Sequence, residues 1–515
     1  MSIKENEITL KKITAHCKEY GFIFGSSEIY DGLSASYDYG PNGVLLKNNI
    51  SEFWWKSMVQ MNENIVGLDA SIFMHPKTWK ASGHVDAFND PLIDNKDSKK
   101  RYRADVLVED HIAKIHQKIN KEVIKARKQF GESFDETHFI STHPRVINYL
   151  NQIQSIKNRM KTIIAENNLE SFKNLIIDLK ISDPVSGTKN WTDVRQFNLM
   201  FSTEIGSVSE DAHTIYLRPE TAQGIFVNFS NVQKSSRMKP PFGIAQIGKA
   251  FRNEIIARQF IFRMREFEQM EMQFFVKPGE EMQWYEHWKL KRMRWHNALG
   301  LGPKKYRFHE HLNLAHYANA ACDIEFEFPM GFKELEGIHS RTDFDLTAHE
   351  KLSGKKLRYF DPQKNESYIP YVVETSIGLD RMFLALLSAA YQEEVLEDNS
   401  ERIVLKLPAA LAPSKVAVLP LMNKDGLPEK AQEIFKELKF DITAQYDAKD
   451  AIGRRYRRQD AVGTPFCITV DHQSLKDDTV TIRERDSMKQ KRIPKTDIQR
   501  ILEENINLKG LLKSI

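Results

Sequence analysis

Between Phe267 and Val276 the chain alternates: Met270, Met272, Phe274 and Val276 fall on one side of a strand, and Phe267, Gln269, Glu271 and Gln273 on the other. No other stretch limits the possible folds so strongly. A strand with one apolar and one polar face predicts an antiparallel sheet with a solvated, ligand-facing side, because strands of a parallel sheet are buried on both faces and read as continuous apolar runs. The helix predicted next carries Trp284, Trp288 and Trp295 at helical spacings and is expected to pack on the apolar face.

Such a sheet is only part of the molecule. At 515 residues the chain exceeds one hydrophobic core, and domain-size arguments predict about three folded units. Apolar residues (41%) and charged residues (28%) stand near globular averages, and no apolar run is long enough to span a bilayer, so no membrane partner is expected. The start, MSIKENEITLKKITAHCKEYG, lacks the apolar stretch of a secretory signal, which predicts a cytoplasmic protein. Cys17, Cys322 and Cys467 are too scattered for a disulfide framework or a C-x-x-C clip, which predicts a reducing compartment and no zinc. A net charge of +4 excludes a strongly basic, non-specific nucleic-acid binder, so any such contact must come from a local patch. The densest is Arg454, Arg455, Tyr456, Arg457 and Arg458, which suits phosphates and stacked bases but would equally make a solvated helix face.

Along the chain, residues 1 to about 94 mix helix-like and strand-like stretches and end in a turn-prone run from Asp90 to Ser98. From His111 the spacing of Ile112, Ile115, Ile119, Val123 and Ala126 is helical, and similar lysine-rich patterns continue to about Lys180, which predicts a helical insertion. Strands dominate from Asn190 to about Leu387. After two prolines near Leu407 to Pro413 the pattern resets. Strands at Lys415–Leu419, Ile442–Gln445, Phe466–Val470 and Val480–Arg483 alternate with helices at Glu429–Leu438 and around the arginine cluster, which predicts a small α/β domain. The predicted class is α+β. A catalytic part would span 1–407, with a mainly helical insertion at 95–182, and an α/β domain 408–515.

Several stretches could carry chemistry. Gly243 to Lys249, GIAQIGK, nearly matches a phosphate loop, but position 250 is alanine where magnesium needs a hydroxyl, and the run is strand-like. Next, Arg252 and Glu254 are two residues apart and on a continued strand would share a face. With Arg263, Arg265, Glu266, Phe267 and Glu271 they concentrate arginines, glutamates and an aromatic ring on one hairpin. That set suits phosphate and purine, although a surface ion-pair ladder would read the same. A second element, VVETSIGLDR, runs from a strand through Gly378 into a helix. Arg381 then sits in the first turn, where a cation opposes the helix dipole at a cost of about 0.3 to 1 kcal/mol unless an anion lies between. A third, Leu217 to Gly224 (LRPETAQG), sets Glu220 beside a turn.

These motifs resemble, along nearly the whole chain, the glycyl-tRNA synthetase family of dimeric α2 type, within the class II aminoacyl-tRNA synthetases. Tyr37 to Trp55 resembles the first class II motif, FRNE with its REFEQME return strand the second, and ETSIGLDR the third. The resemblance implies activation of glycine with ATP and Mg2+, release of pyrophosphate, transfer of glycine to tRNA(Gly), and a homodimer. It implies that Arg252 holds the α-phosphate and the glycine carboxylate and that Arg381, with Arg263, grips pyrophosphate, so Arg252 and Arg381 are the catalytic pair. The implied ATP site continues through Asn253, Glu254, Phe262, Met264, Arg265, Glu266 and Phe267, then Glu334 and Leu335, then Gly378, Leu379 and Asp380. The implied glycine site comprises Arg103 and Glu220, the run Phe267, Glu268, Gln269, Met270 and Glu271, and the run Glu374, Thr375, Ser376, Ile377 and Gly378. In it Glu220 and Glu271 take the ammonium group, Ser376 closes the pocket, and Arg341 is a further candidate. A small pocket is required, since an extra methylene gains only about 1 to 3 kcal/mol and larger amino acids must be rejected by walls. The C-terminal run resembles an anticodon-binding domain, which makes Arg454, Arg455, Arg457 and Arg458 tRNA contacts. One departure is clear: many relatives carry a C-x-x-C before the RYRAD-like run and a C-P-x-C-G before the WTDVRQFNLMF-like run. Here these read DNKDSKKRYRAD and SDPVSGTKNW, so no zinc is expected and packing must hold the insertion. Synthetases for threonine, proline or histidine share the C-terminal domain, but two glutamates and RPETAQG favour glycine. A non-catalytic relative that binds DNA would have lost the motif arginines present here.

Overall fold

The computed structural model describes residues 3–87, 89–131, 134–166, 168–206, 213–255, 259–311, 314–315, 317–396 and 399–515. The α+β chain forms two compact units, residues 1–82 with 200–515, and residues 83–199.

The first unit is built on a seven-stranded sheet. Its elements are helix α1 (Pro41–Trp55), strand β1 (Ile65–Gly67), α2 (Ala222–Val227), β2 (Phe242–Phe251), β3 (Glu266–Val276), α3 (Glu281–Ala298), β4 (Tyr306–Glu310), β5 (Ala320–Phe328), β6 (Gly331–Thr342), α4 (Phe344–Ser353), β7 (Tyr371–Gly378) and α5 (Leu379–Ala390). The spatial order is β4-β5-β6-β7-β3-β2-β1, antiparallel except for the β1–β2 pair. The alternation in β3 decides this arrangement. Met270, Met272, Phe274 and Val276 are fully buried, with the Phe274 ring 4.8 Å from Trp284 and 5.3 Å from Trp288 of α3. Trp295 stacks on Phe53 of α1 at 5.1 Å, and each side chain buried in this way stabilises the layer by roughly 1.5 to 3 kcal/mol.

The polar face of β3 departs from expectation. It is not solvated at its centre, since Glu271 is 2% exposed and Gln273 fully buried. The turn before α2, α2 itself and α4 cover it: Thr221 bonds Glu271, and Ala222, Ile225, Phe226 and Leu346 pack around Phe275. Alternation records the polarity of a face and is silent about what lies over it.

The C-terminal part of this unit is a five-stranded sheet. Ala444–Tyr446, Val416–Pro420 and Phe466–Val470 run parallel, and Thr479–Glu484 and Gln490–Pro494 continue antiparallel. Leu427–Leu438 and α6 (Ile452–Val462) are its helices, and Val416, Val418, Ile434, Leu438 and Ile468 form its core. Gly463, at φ +81°, ends α6 in the left-handed conformation that favours glycine. Asp460 of α6 is fully buried and hydrogen-bonded to two arginines, with Arg457 of the same helix 3.7 Å away. Arg402, on the strand Glu401–Leu405 that follows α5, reaches it at 3.1 Å, and Arg483 grips both of its oxygens at 2.8 and 2.9 Å.

In the second unit the expected helical spacing is observed: Ile112, Ile115, Ile119, Val123 and Ala126 line the buried face of Ala104–Phe130 and meet Val146, Ile153 and Phe172 of the following helices. The run from Asp90 is less turn-like than its composition suggests, since Asn89–Asp94 is the central strand of a three-stranded sheet and only Asn95 to Ser98 turns. The two cysteine-free segments meet, and packing is not all that holds them. The Asn95 side-chain oxygen accepts the Asp97 and Ser98 N–H groups at 3.1 and 3.0 Å, its amide donates to Thr188 at 3.2 Å, and Asp183 accepts from Ser186 and Tyr102. Both side chains are buried, so this polar knot is strong in its low-dielectric setting.

Candidate active site

Beside the β2–β3 hairpin lies a cleft of about 240 Å³. Arg252, Glu254, Phe262, Arg263, Phe267, Glu334 and Arg381 line it, so most of the expected ATP residues converge. Strand β2 ends at Phe251, so Arg252, Asn253 and Glu254 lie in a loop and strand alternation does not explain their grouping. The loop is held instead by hydrogen bonds, from Arg252 N–H to the Arg265 carbonyl at 2.8 Å and from Arg252 Nε to the Pro219 carbonyl at 3.0 Å. Arg265 is spent on backbone carbonyls of Ser34 and Glu254. The Arg252 guanidinium sits 5.3 Å from the Phe267 ring centre, and Arg381 lies 4.5 Å from that of Phe262. Arg381 pairs with Glu334 at 3.2 Å, which relieves its conflict with the start of α5. Burial would raise the Glu334 carboxyl, but Arg381 and Arg252 outweigh it and lower it.

Next to the cleft, the polar faces of β3, β7 and β6 form a buried carboxylate cluster. Glu271 is opposite Ser376, and Gln273 is opposite Glu374. One amide nitrogen of Gln273 donates to both carboxylates, at 2.8 Å to Glu271 and 2.6 Å to Glu374. Glu374 also bonds His339 at 2.8 Å and Arg341 at 3.2 Å. Arg341 forks onto Asp345 at 2.9 and 3.2 Å, and Gln223 joins Asp345 to Glu220 at 3.0 Å each. Ser376 accepts from Gln269 at 3.3 Å. Burial, then the charges of Glu374 and Glu220, push the Glu271 carboxyl well above the usual carboxylate range. Burial acts the same way on Glu374, but Arg341 and then His339 prevail and hold it down to about 2. Two carboxylates in one pocket are therefore shifted in opposite directions, and a cation arriving beside Glu271 would favour its ionised form.

The other expected residues divide by the face or the unit they occupy, and Met264 and Asp380 line the cleft. Consecutive strand residues face opposite ways. Phe267, Gln269, Glu271, Glu374, Ser376 and Gly378 share the ligand face, whereas Glu266, Glu268, Met270, Thr375 and Ile377 turn to the helix side. Met270 and Ile377 are core, Glu268 pairs with Lys47 of α1, and Glu266 pairs with Lys249. Leu335 and Leu379 are also core, and Met264 is buried in the cleft wall. Asp380 is buried, accepting Tyr39 O–H and the Glu268 N–H at 2.8 Å. Burial raises its carboxyl to about 6, so it braces β3 against α5. Arg103 belongs to the second unit, where it pairs with Asp90 at 3.0 Å and Asp105 at 2.6 Å. The near-match GIAQIGK is strand β2, as its apolar spacing implied. Sequence reasoning missed Gln223, Gln273 as a bridge, His339 and Asp345. The polar alternation of β3, and of His339 with Arg341 in KELEGIHSRTDFDL, was the signal available for two of them.

The arginine cluster divides as well. Arg454 is exposed, Arg457 is partly exposed, and Arg458 pairs with Asp447 and Asp450 at 2.7 Å each. Arg455 is 1% exposed and donates to the Pro420, Leu421 and Asp447 carbonyls, so it is a core brace and no surface contact. Among the described residues no group of three or more His, Cys, Asp or Glu side chains is arranged to hold a metal, and no helix is long and apolar enough to cross a membrane.

Comparison with known proteins accounts for these features together. The profile of the tRNA synthetase class II core domain (G, H, P, S and T) matches residues 201–390, that of the Glycyl-tRNA synthetase insertion domain 1 matches 90–199, and that of the Anticodon binding domain matches 415–505. The chain is 52% identical to a glycine–tRNA ligase of Chlorobaculum tepidum, over 94% of this chain and 97% of that protein. It is 48% identical to one of Treponema denticola (98% and 99%) and 48% identical to one of Macrococcus caseolyticus (97% and 99%).

Proposed function

Because the chain belongs to the glycine–tRNA ligases, we propose that the cleft at Arg252 and Arg381 holds ATP and that the Glu271–Glu374 cluster holds glycine. The enzyme activates glycine with ATP and loads it onto tRNA. In the first step a glycine carboxylate oxygen bonds to the α-phosphorus while the bond to the bridging oxygen breaks and pyrophosphate leaves. In the second, a 3′-terminal hydroxyl of tRNA(Gly) attacks the carbonyl carbon and AMP leaves.

In this reading Arg252, in the loop between the two sites, neutralises the approaching carboxylate and the α-phosphate, and Arg381 releases Glu334 to take the departing pyrophosphate. Phe267 offers its ring to the adenine and Glu254 accepts from the amino group. The glycine ammonium meets Glu271 and Glu220, with Gln273 keeping the first carboxylate in place and Gln223 the second. Ser376 and Gln269 wall the pocket. The observation that carries the reading is the pair of buried glutamates beside an arginine-lined cleft, a combination suited to a small zwitterion next to a polyphosphate. Glu334, whose side chain is 54% exposed and faces that cleft, would be the residue to hold a Mg2+ ion, a hard cation that a single carboxylate suits. Such an ion would supply charge neutralisation on the leaving phosphates.

The proposed domains are catalytic 1–407, with the insertion at 95–182, and anticodon-binding 408–515. There Arg454, Arg457 and Arg458 would meet tRNA phosphates, and the proposed compartment is the cytoplasm. Ile29, Tyr30 and Leu33, which are 87%, 80% and 59% exposed near the start of the first motif, support a homodimer, with sedimentation as the check. The deciding experiment is ATP–pyrophosphate exchange without tRNA. Exchange with glycine and none with alanine, serine, threonine or proline is expected, and exchange with alanine equal to that with glycine would refute the pocket assignment.

A further inference from the structure

Glu334 and Glu336 are two residues apart on β6, and in a regular strand they would face the same way. They do not. Glu336 pairs with Ile324 of β5 and Glu334 with Glu325, so the register slips by one residue and Leu335 is the extra member of a bulge. Ile324 belongs to the apolar core. Glu336 accordingly turns to the helix side, while Glu334 turns to the cleft and Arg381.

Beside the bulge, on the helix side of the sheet, lies a buried ion cluster. Glu336 is fully buried, accepts from Arg292 Nε of α3 at 2.5 Å, and bonds His296 Nε2, one turn on, at 2.7 Å. The Arg292 guanidinium lies 4.5 Å from the Trp295 ring centre, which fixes it between α3 and the sheet. Burying these charges is costly, and apolar residues would fill the space at least as well, so a role beyond filling is called for. Burial is opposed at Glu336 by Arg292 and His296, which keep the carboxyl low and hence charged.

We infer that Glu336, Arg292 and His296 form a positioning clamp that locks the Leu335 bulge and thereby aims Glu334 into the nucleotide cleft. The inference rests on the reading of Glu334 as an ATP contact. Releasing the clamp lets β6 relax toward regular alternation, which swings Glu334 away from Arg381 and leaves the glycine cluster, which begins at His339 further along β6, in place.

The test is a double-mutant cycle in ATP–pyrophosphate exchange, run with folded protein well below its melting temperature. Glu336→Gln should raise KM for ATP roughly tenfold and leave KM for glycine within about twofold. In a Glu334→Ala background the same substitution should have no further effect on KM for ATP, because the group it positions is gone. An equal effect in both backgrounds, or none in either, overturns the inference. If Glu334→Ala alone leaves KM for ATP unchanged, the ATP reading of Glu334 fails first, and the clamp has nothing to aim. Arg292→Lys, which keeps the charge and loses the fork, serves if Glu336→Gln does not fold, with the same expected direction and the same refuting outcomes.

Discussion

Glycine should bind more weakly as pH falls, and far more steeply than ATP, because Glu271 must give up a proton to receive an ammonium ion. Burial and the neighbouring charges of Glu374 and Glu220 raise the Glu271 carboxyl well above the carboxylate range. Below that raised pKa the free pocket holds a neutral acid, and each glycine bound as a zwitterion displaces up to one proton. Linkage then makes KM for glycine fall by up to about tenfold, or about 1.4 kcal/mol, for each pH unit gained below the pKa, and level off above it. The sign follows from the direction of the shift: a carboxyl with lowered pKa would already be charged and would give no slope. Glu374→Gln removes the charged neighbour and should move the sloping region toward acid, while Glu271→Gln should abolish the slope and weaken glycine at every pH. The assay is KM for glycine at saturating ATP across the pH range in which the protein stays folded, with calorimetry in two buffers of different ionisation enthalpy to count the proton released. A flat profile in the wild type, or the same slope in Glu271→Gln, would refute the reasoning.

Two further outcomes follow from groups whose roles the structure separates. Arg455→Ala should lower stability by roughly 2 to 4 kcal/mol in thermal melts, since it strands three buried carbonyls; Arg454→Ala should leave melting unchanged, raise KM for tRNA and reduce the salt dependence of tRNA binding by about one counterion. Asn95→Ala should loosen the second unit by about 1 to 3 kcal/mol, seen as faster limited proteolysis between residues 95 and 188, while a chelator added to the wild type should leave the cleavage rate unchanged.

How far the sequence could be read depends on which physical rule governed each element. The alternation of β3 and the tryptophan spacing of α3 disclosed the central sheet and its helix layer because the hydrophobic effect acts on them directly. The helical insertion was legible for the same reason, with each expected apolar position of Ala104–Phe130 buried. Short motifs led to Arg252, Glu271 and Arg381, yet runs of consecutive residues overshot, because half of any strand faces the wrong way. The bulge at Leu335 left no trace in composition, so nothing separated the aim of Glu334 from that of Glu336. Arg455 looked like its neighbours because the helix face it occupies is decided by the carbonyls of Pro420 and Leu421, far off in sequence. The polar knot at Asn95 and Asp183 depended on a long-range meeting of two turns, which residue type alone does not announce.

The shared burial of Asp460 bears on how the helix of Arg454 is placed. Arg402 comes from Glu401–Leu405, the second strand after the Arg381 helix, Arg483 from the C-terminal sheet, and both end on one carboxylate of the helix that displays Arg454. If that helix swung away, Asp460 would keep Arg483 and Arg457 and Arg402 would keep Glu394, so the loss would be one fully buried ion pair with neither charge stranded. The junction is a shared rivet: the helix of Arg454 cannot leave the strand of Arg402 without giving that pair up.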